Sequence, residues 1–185
     1  DGFLGDVLVV FGDTPLITSD TIQFMKHSLG GNDENNLVVL GFHLENPTGY
    51  GRIRCSQDGG VEAIVEDLDA SAEELQITLC NSGAMAFTSE ALFQTLDKIG
   101  NHNFKGEYYL TDLVSLCRDI GGRIGLVEGP AEELQGINTR ADLARAEAVM
   151  QNRLRARAMI SGVTLIDPNS TWLSMDTSFG KDVTV

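Results

Sequence analysis

Two apolar runs constrain this chain more than any other feature. Residues 7–11 are continuously apolar and close on Gly12, and residues 37–42 form a second such run. A run without alternation suits a strand buried on both faces, as in a parallel sheet. Between them a helix is expected from Ser19 or Asp20, either of which can cap it, to about Leu29. Gly30-Gly31-Asn32-Asp33 ends it. Strand, helix, strand in this order predicts a βαβ unit with a right-handed crossover.

Further along, residues 51–56 and 61–66 flank Gln57-Asp58-Gly59-Gly60, a strong hairpin turn. A short strand is expected over 83–87, helices over 89–99 and 111–120, and a strand over 123–128. The longest helix is expected over 139–161, with Leu143, Ala146, Val149, Met150, Leu154 and Met159 along one apolar stripe. It also carries Arg140, Arg145, Arg153, Arg155 and Arg157, a solvated face or a surface for an acidic neighbour. After Gly162, closely spaced turn signals separate single apolar residues, a texture that suggests the first coil of a β-solenoid.

The chain carries 13 Lys+Arg against 27 Asp+Glu, a net charge of −14. That balance argues against nucleic acid, whose binding needs basic surface to displace counterions, and against anionic membranes. No apolar run approaches a membrane span. Cys55, Cys80 and Cys117 are isolated and flanked by apolar residues, which reads as small core hydrophobes in a reducing compartment. The chain begins at Asp1 rather than Met and reaches an apolar strand within six residues. Its two ends are therefore expected to be cuts in a longer protein.

Several residues could carry chemistry. Asp13 follows a buried strand, at the edge of the sheet where α/β proteins bind ligands. It either ligates a hard cation such as Mg²⁺ or shapes the turn into Pro15. Gly49-Tyr50-Gly51 lets backbone approach a ligand, or makes a tight turn. Glu66 ends a hairpin strand and could accept sugar hydroxyls, or be a solvated strand end. Asn81-Ser82-Gly83 offers an amide, or an Asx-type turn. Thr111 and Asp112 read as a helix cap and first-turn acid. Asn138 reads as the cap of the long helix, with a metal ligand as the other possibility. No Walker A, dinucleotide fingerprint or nucleophilic triad is present, and His27, His43 and His102 have no partner at a telling spacing.

Taken in order, Gly12-Asp13-Thr14-Pro15-Leu16, Asn46-Pro47-Thr48-Gly49-Tyr50-Gly51-Arg52-Ile53, Ala63-Ile64-Val65-Glu66, Asn81-Ser82-Gly83, Gly106-Glu107-Tyr108-Tyr109-Leu110-Thr111-Asp112 and Gly136-Ile137-Asn138-Thr139-Arg140 strongly resemble a known family. It is the bacterial bifunctional N-acetylglucosamine-1-phosphate uridylyltransferase/glucosamine-1-phosphate acetyltransferases. The resemblance runs from about Asp6 to Val185. It implies a Rossmann-like nucleotide-diphospho-sugar transferase fold, incomplete here and occupying residues 1–138. A linker helix over 139–162 then leads into the start of a left-handed parallel β-helix over 163–185.

The implied reaction joins UTP and N-acetylglucosamine 1-phosphate into UDP-N-acetylglucosamine and pyrophosphate, for cell-wall precursor synthesis in the cytoplasm. In the whole enzyme it is coupled to acetyl transfer from acetyl-CoA, in a homotrimer. By the same resemblance Asp13 and Asn138 hold Mg²⁺. Gly51, Glu66 and Asn81 bind the N-acetylglucosamine moiety, while Phe11 and Gly12 line the pocket. There are departures: Leu68 stands where the family usually has a basic residue, and Ser82 replaces a common Thr. The family's Gly-rich nucleotide loop is absent from these residues, so the chain alone is expected to lack activity. The rival readings are a nucleotidyltransferase for another sugar 1-phosphate and a noncatalytic module built for assembly.

Overall fold

The computed structural model describes residues 3–30, 34–57 and 59–185. Asp58 in the hairpin turn and residues 31–33 after the first helix lie outside the described residues. The chain divides into two compact units between Gln135 and Gly136.

The first unit is built on a mixed sheet. Its elements in chain order are β1 (Asp6–Val9), α1 (Ser19–Ser28), β2 (Leu37–His43), β3 (Arg52–Cys55), β4 (Val61–Val65), β5 (Leu79–Thr88), α2 (Ser89–Thr95), α3 (Leu113–Asp119), β6 (Ile124–Glu128) and α4 (Ala131–Leu134). The strand order is β4-β3-β5-β2-β6, with β1 also paired to β5. Met85 and Phe87 of β5 pair with Val39 and Leu37 of β2 on one edge and with Val9 and Val7 of β1 on the other. Both neighbours run antiparallel to β5, so β1 and β2 point the same way with β5 between them. The parallel neighbours are β2 and β6, from Leu37↔Ile124 to Gly41↔Glu128.

The expectation for residues 7–11 is therefore corrected. Residues 6–9 form an antiparallel strand whose side chains alternate between exposed and half-buried. Among the described residues it has one sheet neighbour, which leaves Leu8, Val10 and Phe11 substantially exposed. The second run behaves as read. Leu37 and Val39 pack on one face with Leu92, Leu113 and Cys117, while Val38, Leu40 and Phe42 pack on the other with Met25, Leu29 and Leu134. Burial on both faces explains why β2 has no polar alternation.

Other details shift. Helix α1 is capped by Thr18, which accepts from the Thr21 amide, rather than by Ser19 or Asp20. The expected short strand at 83–87 is ten residues long, because it begins at Leu79 and passes through a bulge instead of starting at Gly83. Between Val39↔Met85 and Gly41↔Asn81, three residues of β5 face one of β2. The Ser82 hydroxyl pins the bulge by donating to the Leu40 carbonyl at 2.7 Å and accepting from the Ala84 amide at 3.2 Å. Cys80 and Cys117 are buried and Cys55 half-buried, and burial pushes all three thiols above their ordinary value.

In the second unit α5 spans Arg140–Ile160. Its cap is Thr139, not Asn138, in a reciprocal capping box with Asp142. The apolar stripe is only partly realised: Leu154 is buried, but Leu143 and Met159 are exposed. Polar Gln151 and Arg155 are buried instead. Gln151 exchanges two hydrogen bonds with the Leu173 backbone, at 2.8 and 2.9 Å, and Arg155 Nε donates to the Thr171 carbonyl at 2.8 Å. These tie the helix to the tail, where Val163, Leu165 and Leu173 close a small core with Leu154 and Ala158. The tail returns on itself in a parallel bridge between Thr164 and Thr184.

Candidate functional site

Three strands bring the sugar-site candidates of the first unit together. Gly51 precedes β3, Glu66 follows β4, and Asn81 is the third residue of β5. The Asn81 backbone N–H donates to the Gly51 carbonyl at 2.8 Å. A methyl group on Gly51 would lie 3.5 Å from both Glu66 carboxylate oxygens and 3.2 Å from Ile64. Gly51 is thus the contact point of the cluster, and the lack of a side chain keeps the space before Glu66 open.

Thr111 joins this group. Its hydroxyl donates to Glu66 Oε1 at 3.0 Å. The expected capping role is overturned, because the single helical turn over Leu110–Asp112 has Tyr109 before it and no side-chain cap. No sequence signal links residues 66 and 111; the packing of α3 against β4 brings them together.

Asn81 leads to the second half of the site. Its Oδ1 accepts from the Gly83 amide at 3.0 Å, so the Asx-type turn is present. Gly83 has φ +85°, and a Cβ there would lie 2.4 Å from the Phe11 ring. The ring therefore sits flush on the Gly83 backbone. Phe11 is half exposed, and its carbonyl accepts from the Thr14 hydroxyl at 3.0 Å, closing a turn through Gly12 and Asp13. Nothing lies within 4 Å of a Cβ built on Gly12. The Asp13 carboxylate is exposed at this turn. Glu66, Gly51, Asn81, Gly83 and Phe11 thus form one continuous chain of contacts that ends beside Asp13.

The two ends differ in charge. Desolvation and the carboxylates of Asp69, Glu107 and Glu66 push the Tyr109 phenol up, and desolvation with Asp69 raises Asp112. An acidic rim of this kind repels phosphate and suits a neutral, hydroxyl-bearing group. Phosphate chemistry is better placed at the Asp13 end, where a cation can offset its charge.

Asn138 belongs to the second unit. Its side chain is exposed, and its amide donates to Asp142 Oδ2 at 3.2 Å. Among the described residues no group of three His, Cys, Asp or Glu forms a metal cage. In the first unit the oxygen donor at this end is one exposed carboxylate, Asp13. Hard oxygen donors in small number fit Mg²⁺, which keeps waters and substrate phosphates as its other ligands.

No protein-family model matches the chain. Curated proteins do. The "Bifunctional protein GlmU" of Rhodopseudomonas palustris is 53% identical over 180 residues, which is 97% of this chain and 39% of that protein. The protein of the same name from Rhodospirillum rubrum is 50% identical over 182 residues, 98% of this chain and 41% of that protein. The chain thus spans about two fifths of the length of the curated relatives it matches. Among solved structures, a putative glucose-1-phosphate thymidylyltransferase from Bacillus anthracis, in complex with a sucrose, aligns with TM-score 0.56 and 18% identity. It covers 78% of this chain and 54% of that one. A CMP:2-keto-3-deoxy-manno-octonic acid synthetase complexed with CTP aligns with TM-score 0.54 and 12% identity, over 80% of this chain and 62% of that one. At such identities these two likenesses establish the fold alone, a Rossmann-like mixed α/β sheet.

Proposed function

We propose, from about 50% identity to the bifunctional GlmU proteins along nearly the whole chain, that this polypeptide carries the sugar-binding part of a uridylyltransferase. In the reaction, a phosphate oxygen of N-acetylglucosamine 1-phosphate bonds to the α-phosphorus of UTP. The bond from that phosphorus to the bridging oxygen breaks, and pyrophosphate leaves with the electron pair. UDP-N-acetylglucosamine is the product. No protein nucleophile is needed, because phosphoryl-type transfer depends on positioning and charge neutralisation.

The observation that carries this reading is the convergence of Glu66, Gly51 and Asn81 from three separate strands, with Gly51 hydrogen-bonded to Asn81 through the backbone and lying against the Glu66 carboxylate. Glu66 accepts from sugar hydroxyl or amide groups, and Asn81 can both donate and accept. Gly51 admits the sugar ring at the sheet surface. Phe11 and Gly12 line the path towards the phosphates. The Asp13 carboxylate would hold Mg²⁺, with the Asn138 carboxamide oxygen as a second ligand on the family resemblance alone. Bound there, the cation supplies charge neutralisation for the phosphates.

The remaining parts of the reading rest on the family resemblance of the sequence. The tail opens a left-handed β-helix, a reading supported by the parallel Thr164–Thr184 bridge. The whole protein is a cytoplasmic homotrimer that also transfers acetyl groups from acetyl-CoA to glucosamine 1-phosphate. Among the described residues no helix is long and apolar enough to cross a membrane.

The test is pyrophosphate release from UTP and N-acetylglucosamine 1-phosphate by the protein of the complete reading frame containing this chain. Asp13→Asn and Asn138→Ala are each expected to lower turnover by about a hundredfold or more, as loss of charge neutralisation does elsewhere. Near-normal turnover in both sinks the metal assignment. A panel of other sugar 1-phosphates, equally well used, would overturn the N-acetylglucosamine assignment and point to exposed Leu68 as a departure that matters.

A further inference from the structure

We infer that Thr111 is a positioning residue that fixes the Glu66 carboxylate for one hydrogen-bond donor of the ligand. This rests on the reading above, in which Glu66 meets the sugar. Glu66 is half-buried at the end of β4, and a glutamate has three side-chain torsions to restrain. Thr111 supplies the restraint. It is 8% exposed and precedes Leu113 and Val114, both fully buried in the core, so its hydroxyl sits on a fixed support. That hydroxyl donates to Oε1 at 3.0 Å.

A Cβ built on Gly51 would lie 3.5 Å from both carboxylate oxygens, so bare backbone lies close to them. The carboxylate thus has a hydroxyl donor on Oε1 and a bare stretch of backbone beside it. With one lone pair of Oε1 engaged, Oε2 is the more open acceptor for ligand, and its direction is set. A ligand must place a hydroxyl or amide N–H at that point. A group lacking such a donor leaves an aligned carboxylate oxygen unsatisfied, which discriminates strongly. Thr111 acts on the ligand through Glu66 alone.

The experiment is steady-state kinetics of the complete-reading-frame protein, with KM measured separately for the sugar 1-phosphate and for UTP. Thr111→Val removes the hydroxyl at nearly constant shape. It is expected to raise the sugar 1-phosphate KM about tenfold, the scale of one hydrogen bond to a charged group. The UTP KM stays within about twofold, and Thr111→Ser restores the sugar KM to within about twofold, on the same scale. In a Glu66→Ala background Thr111→Val adds little, because the acceptor of its hydrogen bond is already gone.

An unchanged sugar KM in Thr111→Val overturns the inference, as do equal shifts for both substrates or losses that multiply in the double variant. Glu66→Gln separates the two levels of argument. If it raises the sugar KM while Thr111→Val does not, positioning fails and the sugar site stands. If Glu66→Gln leaves the sugar KM unchanged, the sugar site fails and the inference fails with it. Thr111→Ala gives the same readings should the valine variant not fold.

Discussion

The Arg52 guanidinium and the Asp67 carboxylate meet at 2.9 Å, with the arginine side chain 2% exposed and the aspartate 22%. The guanidinium also donates to the Tyr50 carbonyl, and its Nε has no partner among the described residues. Tyr50 immediately precedes Gly51, and Asp67 immediately follows Glu66. The buried pair therefore ties together two segments of the candidate sugar site, one at the start of β3 and one at the end of β4.

Removing the aspartate leaves a buried cation, whose Nε already has no partner, without its counter-charge. Breaking a buried pair in this way costs about 3–5 kcal/mol, far more than loss of a surface ion pair. Asp67→Ala is thus expected to lower unfolding stability in denaturant by about 3 kcal/mol. Arg52→Met, which removes the buried charge itself, is expected to cost less. A loss below about 1 kcal/mol in Asp67→Ala, the range of an exposed pair, would show that water reaches the guanidinium.

Gly83 faces two constraints that can be separated. Its φ of +85° disfavours any side chain, and the Phe11 ring occupies the space a Cβ would need. Gly83→Ala is expected to cost about 1–2 kcal/mol for the left-handed backbone, with a further amount for moving the ring. In a Phe11→Ala background the ring term vanishes and the backbone term remains. Equal costs in both backgrounds would mean that the half-exposed ring moves aside freely. Thermal unfolding of the four proteins measures the difference.

What the sequence revealed divides along a physical line. The β2 run, the β3–β4 hairpin and the start of α5 were legible because burial on two faces, turn chemistry and capping are encoded within a few residues. Strand β1 was misread because an apolar run does not say how many neighbours the strand has. Gly83 looked like the start of a strand because a bulge depends on the partner strand, here Leu40 and its contact with Ser82. Gln151 carries no signal of its own in the sequence, and Arg155 reads as part of a solvated face or a surface for an acidic neighbour. They are buried because their partners are backbone groups 22 and 16 residues away. The site followed the same rule. Gly51, Glu66 and Asn81 were picked out by resemblance, and their convergence emerges only in the sheet. The Thr111–Glu66 bond spans 45 residues and left no local trace.

The capping box of α5 predicts an acid-sensitive helix end. Asp142 accepts from the Thr139 hydroxyl at 2.7 Å and from the Thr139 and Asn138 amides at 2.7 and 3.2 Å, with Arg145 beside it. The Thr139 hydroxyl first, then those amides and Arg145, hold its carboxyl below the usual value. Because the folded value is depressed, the stabilisation is fully present above the unfolded value of about 3.9. It is lost as pH falls through the lower folded value. The first turn of α5 is therefore expected to fray in acid before the rest of the helix. Hydrogen-exchange protection of the amides of Asp142 and Leu143 should drop below about pH 4, while that of Leu154 and Arg155 holds. Asp142→Asn cannot titrate, so its first-turn protection should be lower at neutral pH and flat into acid. An acid loss of the same size in Asp142→Asn would assign the effect to another carboxylate and remove the box as its cause.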